Sequence, residues 1–142
     1  MIWESNRIKR DVVEKDPKES GERALLNFGH TLGHAIEKLT DFSMLHGHCV
    51  AVGSLAACRI SALRGMITLQ EIEELSRVLQ IFHLPTKVEG LNVNEIIKAT
   101  KHDKKMEQGL IKFILLREIG NAYVDKTVTE EEMKQGLEAV SL

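Results

Sequence analysis

Aromatic residues are scarce in this sequence, at 4% of positions, so its core must be built from Leu, Ile, Val and Ala. That composition suits packed helices. An excess of basic charge is also missing: the formal net charge is -2. A duplex-binding surface normally shows a strong basic excess or stripe, so no nucleic-acid partner is expected. No apolar run approaches the roughly 18–20 residues that span a bilayer, and the first residues lack a signal-peptide hydrophobic stretch. Cysteine is limited to Cys49 and Cys58. On one helix they would be separated by about 13 Å of rise, too far to bridge. The expectation is a reduced, cytoplasmic protein with no membrane partner. No internal repeat or low-complexity tract appears, and 142 residues are enough for one domain with a real core.

What is present reads mostly as helix. "RIKRDVVEKD" predicts an opening helix that stops before Asp16-Pro17, because the residue before proline is pushed out of the α region. A second helix is predicted from Glu19 or Glu22 to Leu39, with Leu25, Leu26, Phe28, Leu32, Ile36 and Leu39 on one broad face. A third starts near His46 and runs to Gly65, a C′ residue. It is apolar nearly all round and predicts a buried central helix. Thr68 with Glu71, Asn92 with Glu95 and Thr129 with Glu132 read as capping boxes opening three further helices, the first ending before Pro85. "GLIKFILLREIGNAYV" is β-branched and aliphatic, with Gly120-Asn121 as turn residues, and predicts a β-hairpin. The fold class is therefore mainly α, a single multihelical domain over 1–142 with a small hairpin near its C-terminus.

Four of the six histidines fall between positions 30 and 48. His30 and His34 lie one helical turn apart and point to one side, a spacing that suits a divalent metal bound by neutral imidazoles. Alone, that pattern is more often a pair of ordinary surface or core histidines. The context shifts the balance. His46 follows a break and opens a new helix, which lets it fold back against the pair. Gly29, Gly33 and Gly47 each cost a helix roughly 1 kcal/mol relative to Ala. Their placement beside the histidines means that room is being made, or that another backbone approaches closely. Positions 23, 27, 30 and 34 form one i, i+4, i+7, i+11 polar stripe on the second helix, and its His and Asn content favours a site over a solvated face. Arg23 offers a planar fork for carboxylate or phosphate, and Asn27 a neutral donor and acceptor. "HDKK", His102 to Lys105, supplies a compact cationic loop. The residues by themselves argue for a metal beside an anionic small molecule.

"RALLNFGHTLGHAIE", then "HGHCVAVG", then "HDKKMEQGLIKFILLREIG", resembles the 3-dehydroquinate synthase family, specifically its C-terminal, helical domain. The resemblance runs from Lys9 to the last helix. It implies a two-domain enzyme whose N-terminal α/β half, the NAD-binding part, lies outside these 142 residues. It also implies roles. His30 and His46 match zinc ligands, with a third ligand, a glutamate, coming from outside this segment. Cobalt is an alternative ion. His34 matches a histidine that faces substrate. Arg23, Asn27 and Lys9 match substrate-contacting positions, one of Lys104 and Lys105 matches a lysine that reaches the substrate, and Glu19 a further active-site carboxylate. One departure stands out: the family writes His-Gly-Glu where this chain has His-Gly-His, so His48 replaces a carboxylate with a group that is neutral or cationic near neutral pH. Its simpler reading is a residue that packs or caps at the helix start.

The activity the resemblance implies is conversion of 3-deoxy-D-arabino-heptulosonate 7-phosphate to 3-dehydroquinate with loss of phosphate, in a full-length homodimer using NAD and zinc. The isolated chain is expected to be inactive and to expose an apolar strip where the NAD domain docks. Two other classes share the scaffold. One is a related sugar-phosphate cyclase or a metal-dependent alcohol dehydrogenase. The other is a non-enzymatic helical binding module.

Overall fold

The computed structural model describes residues 2–17, 21–101 and 110–141. Helix α1 (Ile2–Lys15) leads into a short 3-10 helix (Glu22–Asn27), followed by α2 (His30–Leu39), α3 (His46–Leu63), α4 (Leu69–Ile81) and α5 (Val93–Lys101). Strands β1 (Phe113–Glu118) and β2 (Asn121–Asp125) form an antiparallel hairpin, and α6 (Glu130–Glu138) closes the chain. The architecture is mainly α with one minor hairpin, as the composition and periodicity predict.

Helix α3 is the axis of the domain. Cys49, Val52, Ala56, Cys58 and Ile60 along it are completely buried, and α2, α4, α6 and β1 all pack against it. Apolar surface on every side of a helix is stable only where neighbours cover every side. Burial holds the Cys58 thiol up at about 12 and also raises that of Cys49; both remain free thiols. Helix α3 ends as predicted. Gly65 adopts φ +71, and the Met66 amide donates back to the Ser61 carbonyl at 3.0 Å, a Schellman-type stop. The buried Ser61 hydroxyl donates to Ala57 O and accepts the Leu116 amide at 3.0 Å. That bond ties the hairpin to the central helix.

Four expectations need correction. Helix α1 begins at Ile2 rather than near Arg7, because nothing in the first residues stops it and Glu4 pairs with Arg7 one turn on. The hairpin turns on Ile119-Gly120, not Gly120-Asn121: Gly120 takes φ +90 and Asn121 already pairs with Glu118. At α5, Asn92 Oδ1 accepts the Asn94 amide at 2.8 Å, in place of the capping box read there; the boxes at Thr68–Glu71 and Thr129–Glu132 are both present.

The largest correction concerns the second helix, which is two pieces. Residues 22–27 are 3-10, and Gly29, at φ +77, separates them from α2. The reason is tertiary. At the α2–α3 crossing a Cβ on Gly29 would lie 2.2 Å from Ser54 Oγ, and one on Gly53 would lie 2.2 Å from the Gly29 carbonyl oxygen. The backbones touch, and only a glycine in a left-handed conformation lets the chain enter α2 at that angle. Gly33 sits on the same contact, against the backbone of Cys49 and Val50. Of the two explanations for these glycines, close backbone approach is the one that applies. Around Gly47 the space is open.

Candidate metal centre

The break at Gly29 decides how the site is assembled. On a continuous α-helix, positions 23, 27, 30 and 34 would share a stripe. With three residues per turn in the 3-10 segment, residues four apart are rotated by about 120°, so Arg23 and Asn27 do not line up on one side of it and the single continuous stripe is broken. What α2 itself contributes is His30 in its first turn and His34 in its second, both half-buried. The loop of residues 40–45 then reverses the chain, and His46 opens α3 beside them.

The three imidazoles form a nearly equilateral triangle. Ring centroids are 5.4 Å apart for His30–His34 and for His30–His46, and 5.5 Å for His34–His46. One potential ligand nitrogen from each lies within 4.8 Å of the others. A tetrahedral zinc ion with Zn–N bonds of about 2 Å needs its nitrogens about 3.4 Å apart, a difference that small side-chain rotations close. The donor chemistry fits as well. His30 Nδ1 is 3.1 Å from the Phe28 carbonyl oxygen, and His46 Nδ1 is 3.2 Å from both carboxylate oxygens of Glu37. A nitrogen that donates to an oxygen carries the proton, so each of these rings keeps Nε2 as its lone-pair nitrogen for a metal. The spacing argument singles out His30 and His34, and the family resemblance His30 and His46. The fold brings all three together, so proximity alone does not separate these readings.

His48 stands apart. It is half-buried in the first turn of α3, where its amide donates to Leu45 O at 2.8 Å. Two residues from His46, it points to another side of the helix.

Arg23 is half-buried in the 3-10 segment and folds back on the connection from α1. Its Nη1 donates to Pro17 O at 2.8 Å, and its amide to Asp16 Oδ2 at 3.1 Å. The same carboxylate oxygen accepts the Gly21 amide at 2.7 Å, so Asp16 fastens the start of this segment. Asn27 is half-buried at its end, while Lys9 is exposed on α1. Glu19, Lys104 and Lys105 lie outside the described residues. Glu37 was missed by the sequence reading. The available signal was its position: seven residues after His30 and three after His34, it falls on the histidine face of α2.

The 3-dehydroquinate synthase C-terminal family model matches residues 1–106. The 3-dehydroquinate synthase of Acetivibrio thermocellus is 40% identical over 126 residues, covering 89% of this chain and 35% of that protein. That of Symbiobacterium thermophilum is 40% identical over 142 residues, covering 99% of this chain and 40% of the relative. The chain thus spans well under half the length of these relatives. Among solved structures, 2-epi-5-epi-valiolone synthase from Streptomyces hygroscopicus subsp. jinggangensis, with NAD+ and Zn2+ bound, superposes with a TM-score of 0.80 at 24% identity, covering 92% of this chain and 36% of that one. A 2-deoxy-scyllo-inosose synthase complexed with carbaglucose-6-phosphate, NAD+ and Co2+ gives 0.74 at 23% identity, with 92% and 39% covered. At these identities the solved structures speak for the fold, and the family follows from the sequence matches: this chain belongs to the 3-dehydroquinate synthase C-terminal family.

Proposed function

We propose that the chain is the metal- and substrate-binding helical part of a 3-dehydroquinate synthase. The complete enzyme would convert 3-deoxy-D-arabino-heptulosonate 7-phosphate to 3-dehydroquinate and phosphate in the shikimate pathway, in the cytoplasm and as a homodimer. NAD would be bound mainly by a further α/β domain. The observation that carries this reading is the triangle of His30, His34 and His46, with the Nδ1 atoms of His30 and His46 both committed to oxygen acceptors. The relatives near 40% identity favour dehydroquinate as product over the products of the other cyclases sharing the fold.

In this reading His30 and His46 hold a zinc or cobalt ion with a third ligand from outside the chain, and His34 faces the substrate. The ion, when bound, supplies Lewis acidity and lowers the pKa of a coordinated hydroxyl. The chain's own side chains do the placing. Arg23 and Lys9 meet anionic and polar substrate groups. Asn27 orients a hydroxyl through a donor and an acceptor. His34, an imidazole within reach of the metal ligands, holds or passes a proton. Glu19 and one of Lys104 and Lys105 complete the cradle. Fixing several substrate groups at once makes the reacting geometry the bound geometry, and much of the organic chemistry then belongs to substrate and NAD.

Two measurements test this. The chain assayed by itself with substrate, NAD and zinc should show no turnover; rates comparable to those of a two-domain synthase would reject the division of labour. In a two-domain protein carrying this domain, His30→Ala and His46→Ala should each strip zinc. His34→Ala should retain zinc and lose turnover. Loss of metal in His34→Ala with retention in His46→Ala would mean that the i, i+4 pair on α2 is the metal site instead.

A further inference from the structure

We infer that Glu37 is a positioning residue for this metal centre, holding the His46 ring by Nδ1 so that Nε2 is the nitrogen presented to the ion. The inference rests on the metal-centre reading above and deepens it.

The placement begins in α2. His30, His34 and Glu37 stand at i, i+4 and i+7, an arc of about 60° on one helical face. From there the Glu37 side chain, only 18% exposed, reaches across to the more exposed His46. Both carboxylate oxygens lie 3.2 Å from Nδ1. The backbone of the same residue is also tied down. Its carbonyl accepts the Phe42 amide at 3.0 Å, where Asp41 and Phe42 adopt φ of 49 and 57 to turn the chain out of α2. One residue therefore closes the end of α2 through its main chain and grips the start of α3 through its side chain. His46 opens α3 and is half exposed, so few neighbours orient its ring.

A carboxylate on Nδ1 does two things for an imidazole ligand. It fixes the tautomer, leaving the lone pair on Nε2, and it raises the basicity of that nitrogen. His30 has the neutral counterpart, a backbone carbonyl on Nδ1. The two rings are thus held in the same tautomer by two different acceptors, one of them charged.

The experiment reads ring tautomers in the metal-free chain and, because the third ligand lies outside it, Co2+ binding in a two-domain protein carrying this domain. Long-range 1H–15N spectra at pH ~8, above the usual histidine pKa of about 6.5, report the tautomer of each ring, with His46 assigned by its loss in His46→Ala. Wild type should show His46 protonated on Nδ1. Glu37→Ala should turn it into a mixture and weaken Co2+ binding about 10–100-fold, the usual range for an outer-shell partner. Glu37→Gln, which still accepts from Nδ1–H, should keep the tautomer and lose less affinity. Glu37→Asp, too short to reach, should behave like Ala while preserving charge, and carries the test if the alanine variant fails to fold. An unchanged His46 tautomer in a folded Glu37→Ala or Glu37→Asp chain overturns the positioning role, as does wild-type Co2+ affinity in either variant. Absence of Co2+ binding in every variant of the two-domain protein would instead reject the metal reading, while the tautomer data would still decide the contact between Glu37 and His46.

Discussion

Between Gly29 and Gly53 two backbones come so close that neither position has room for a Cβ, whereas α1, fourteen residues long, has no residue that is fully buried. The two regions differ in what holds them. The α2–α3 pair is set by direct packing around a fully buried helix, and the histidine triangle sits on that rigid crossing. Helix α1 packs on the 3-10 segment and leaves Ile2, Trp3 and Ile8 more than half exposed. Neighbours cover α3, as its nearly all-round apolar sequence predicts, whereas these apolar side chains of α1 are left uncovered. The lesson concerns the site: the candidate metal ligands stand on the well-packed part, while Lys9 and Arg23 stand on elements with far less support. Precise ligand geometry needs the former.

The contrast breaks most visibly at its tightest point. Gly53→Ala places a methyl group against the Gly29 carbonyl oxygen, which no side-chain rotation relieves. A loss of about 3 kcal/mol or more is expected, together with loss of Co2+ binding as α2 shifts from α3. Thermal unfolding followed by circular dichroism checks the first, and Co2+ titration the second. A Tm within a degree or two of wild type would mean that the helices are not in backbone contact in solution.

A medium effect is expected where α3 ends. Arg64 grips Glu132 through two bonds, Nε to Oε1 at 2.7 Å and Nη2 to Oε2 at 3.0 Å, and reaches Asp125 Oδ2 at 2.8 Å. It thereby joins α3, β2 and the cap of α6. The Arg64 hydrogen bonds are the main reason the Glu132 carboxyl is held down at about 2 against an ordinary 4.5, with the Thr129 cap adding to them. A carboxyl with a depressed folded-state pKa stabilises the fold above its unfolded value. That contribution should decline as pH falls from about 4.5 and be gone below about 2. Arg64→Ala should cost roughly 1.5–3 kcal/mol at neutral pH, and Glu132→Gln should flatten the acid limb of stability in urea titrations between those pH values. An acid limb identical to wild type in Glu132→Gln would show that other carboxyls carry it.

The smallest effect belongs to α1. Ile8→Glu should change the stability of this chain by no more than about 0.5 kcal/mol, as for most exposed positions. A drop of several degrees in Tm would mean that this face is covered in solution, and would erase the contrast between the two regions.

Much was legible in the residues alone because the signals are local. The boxes at Thr68–Glu71 and Thr129–Glu132 satisfy backbone amides within one turn. Gly65 stops α3 through its own φ, and the aliphatic run 110–116 cannot be a surface helix. The family motif around His30, His34 and His46 is likewise a linear pattern. What could not be read is whatever depends on a partner distant in sequence. Nothing near Gly29 says that Ser54 and Gly53 will lie against it, so the helix looked continuous and the stripe through Arg23 and Asn27 looked real. Glu37 can be placed on the histidine face of α2 from its spacing, but what its carboxylate meets is settled only where the loop of residues 40–45 returns His46 to it. Most of the helices and two of the three capping boxes were readable from the chain alone, because they follow from short-range backbone chemistry and periodicity, and the histidine motif because it is a linear pattern. Where the second helix breaks and which carboxylate holds His46 were settled by the fold, because both depend on how α2 and α3 meet.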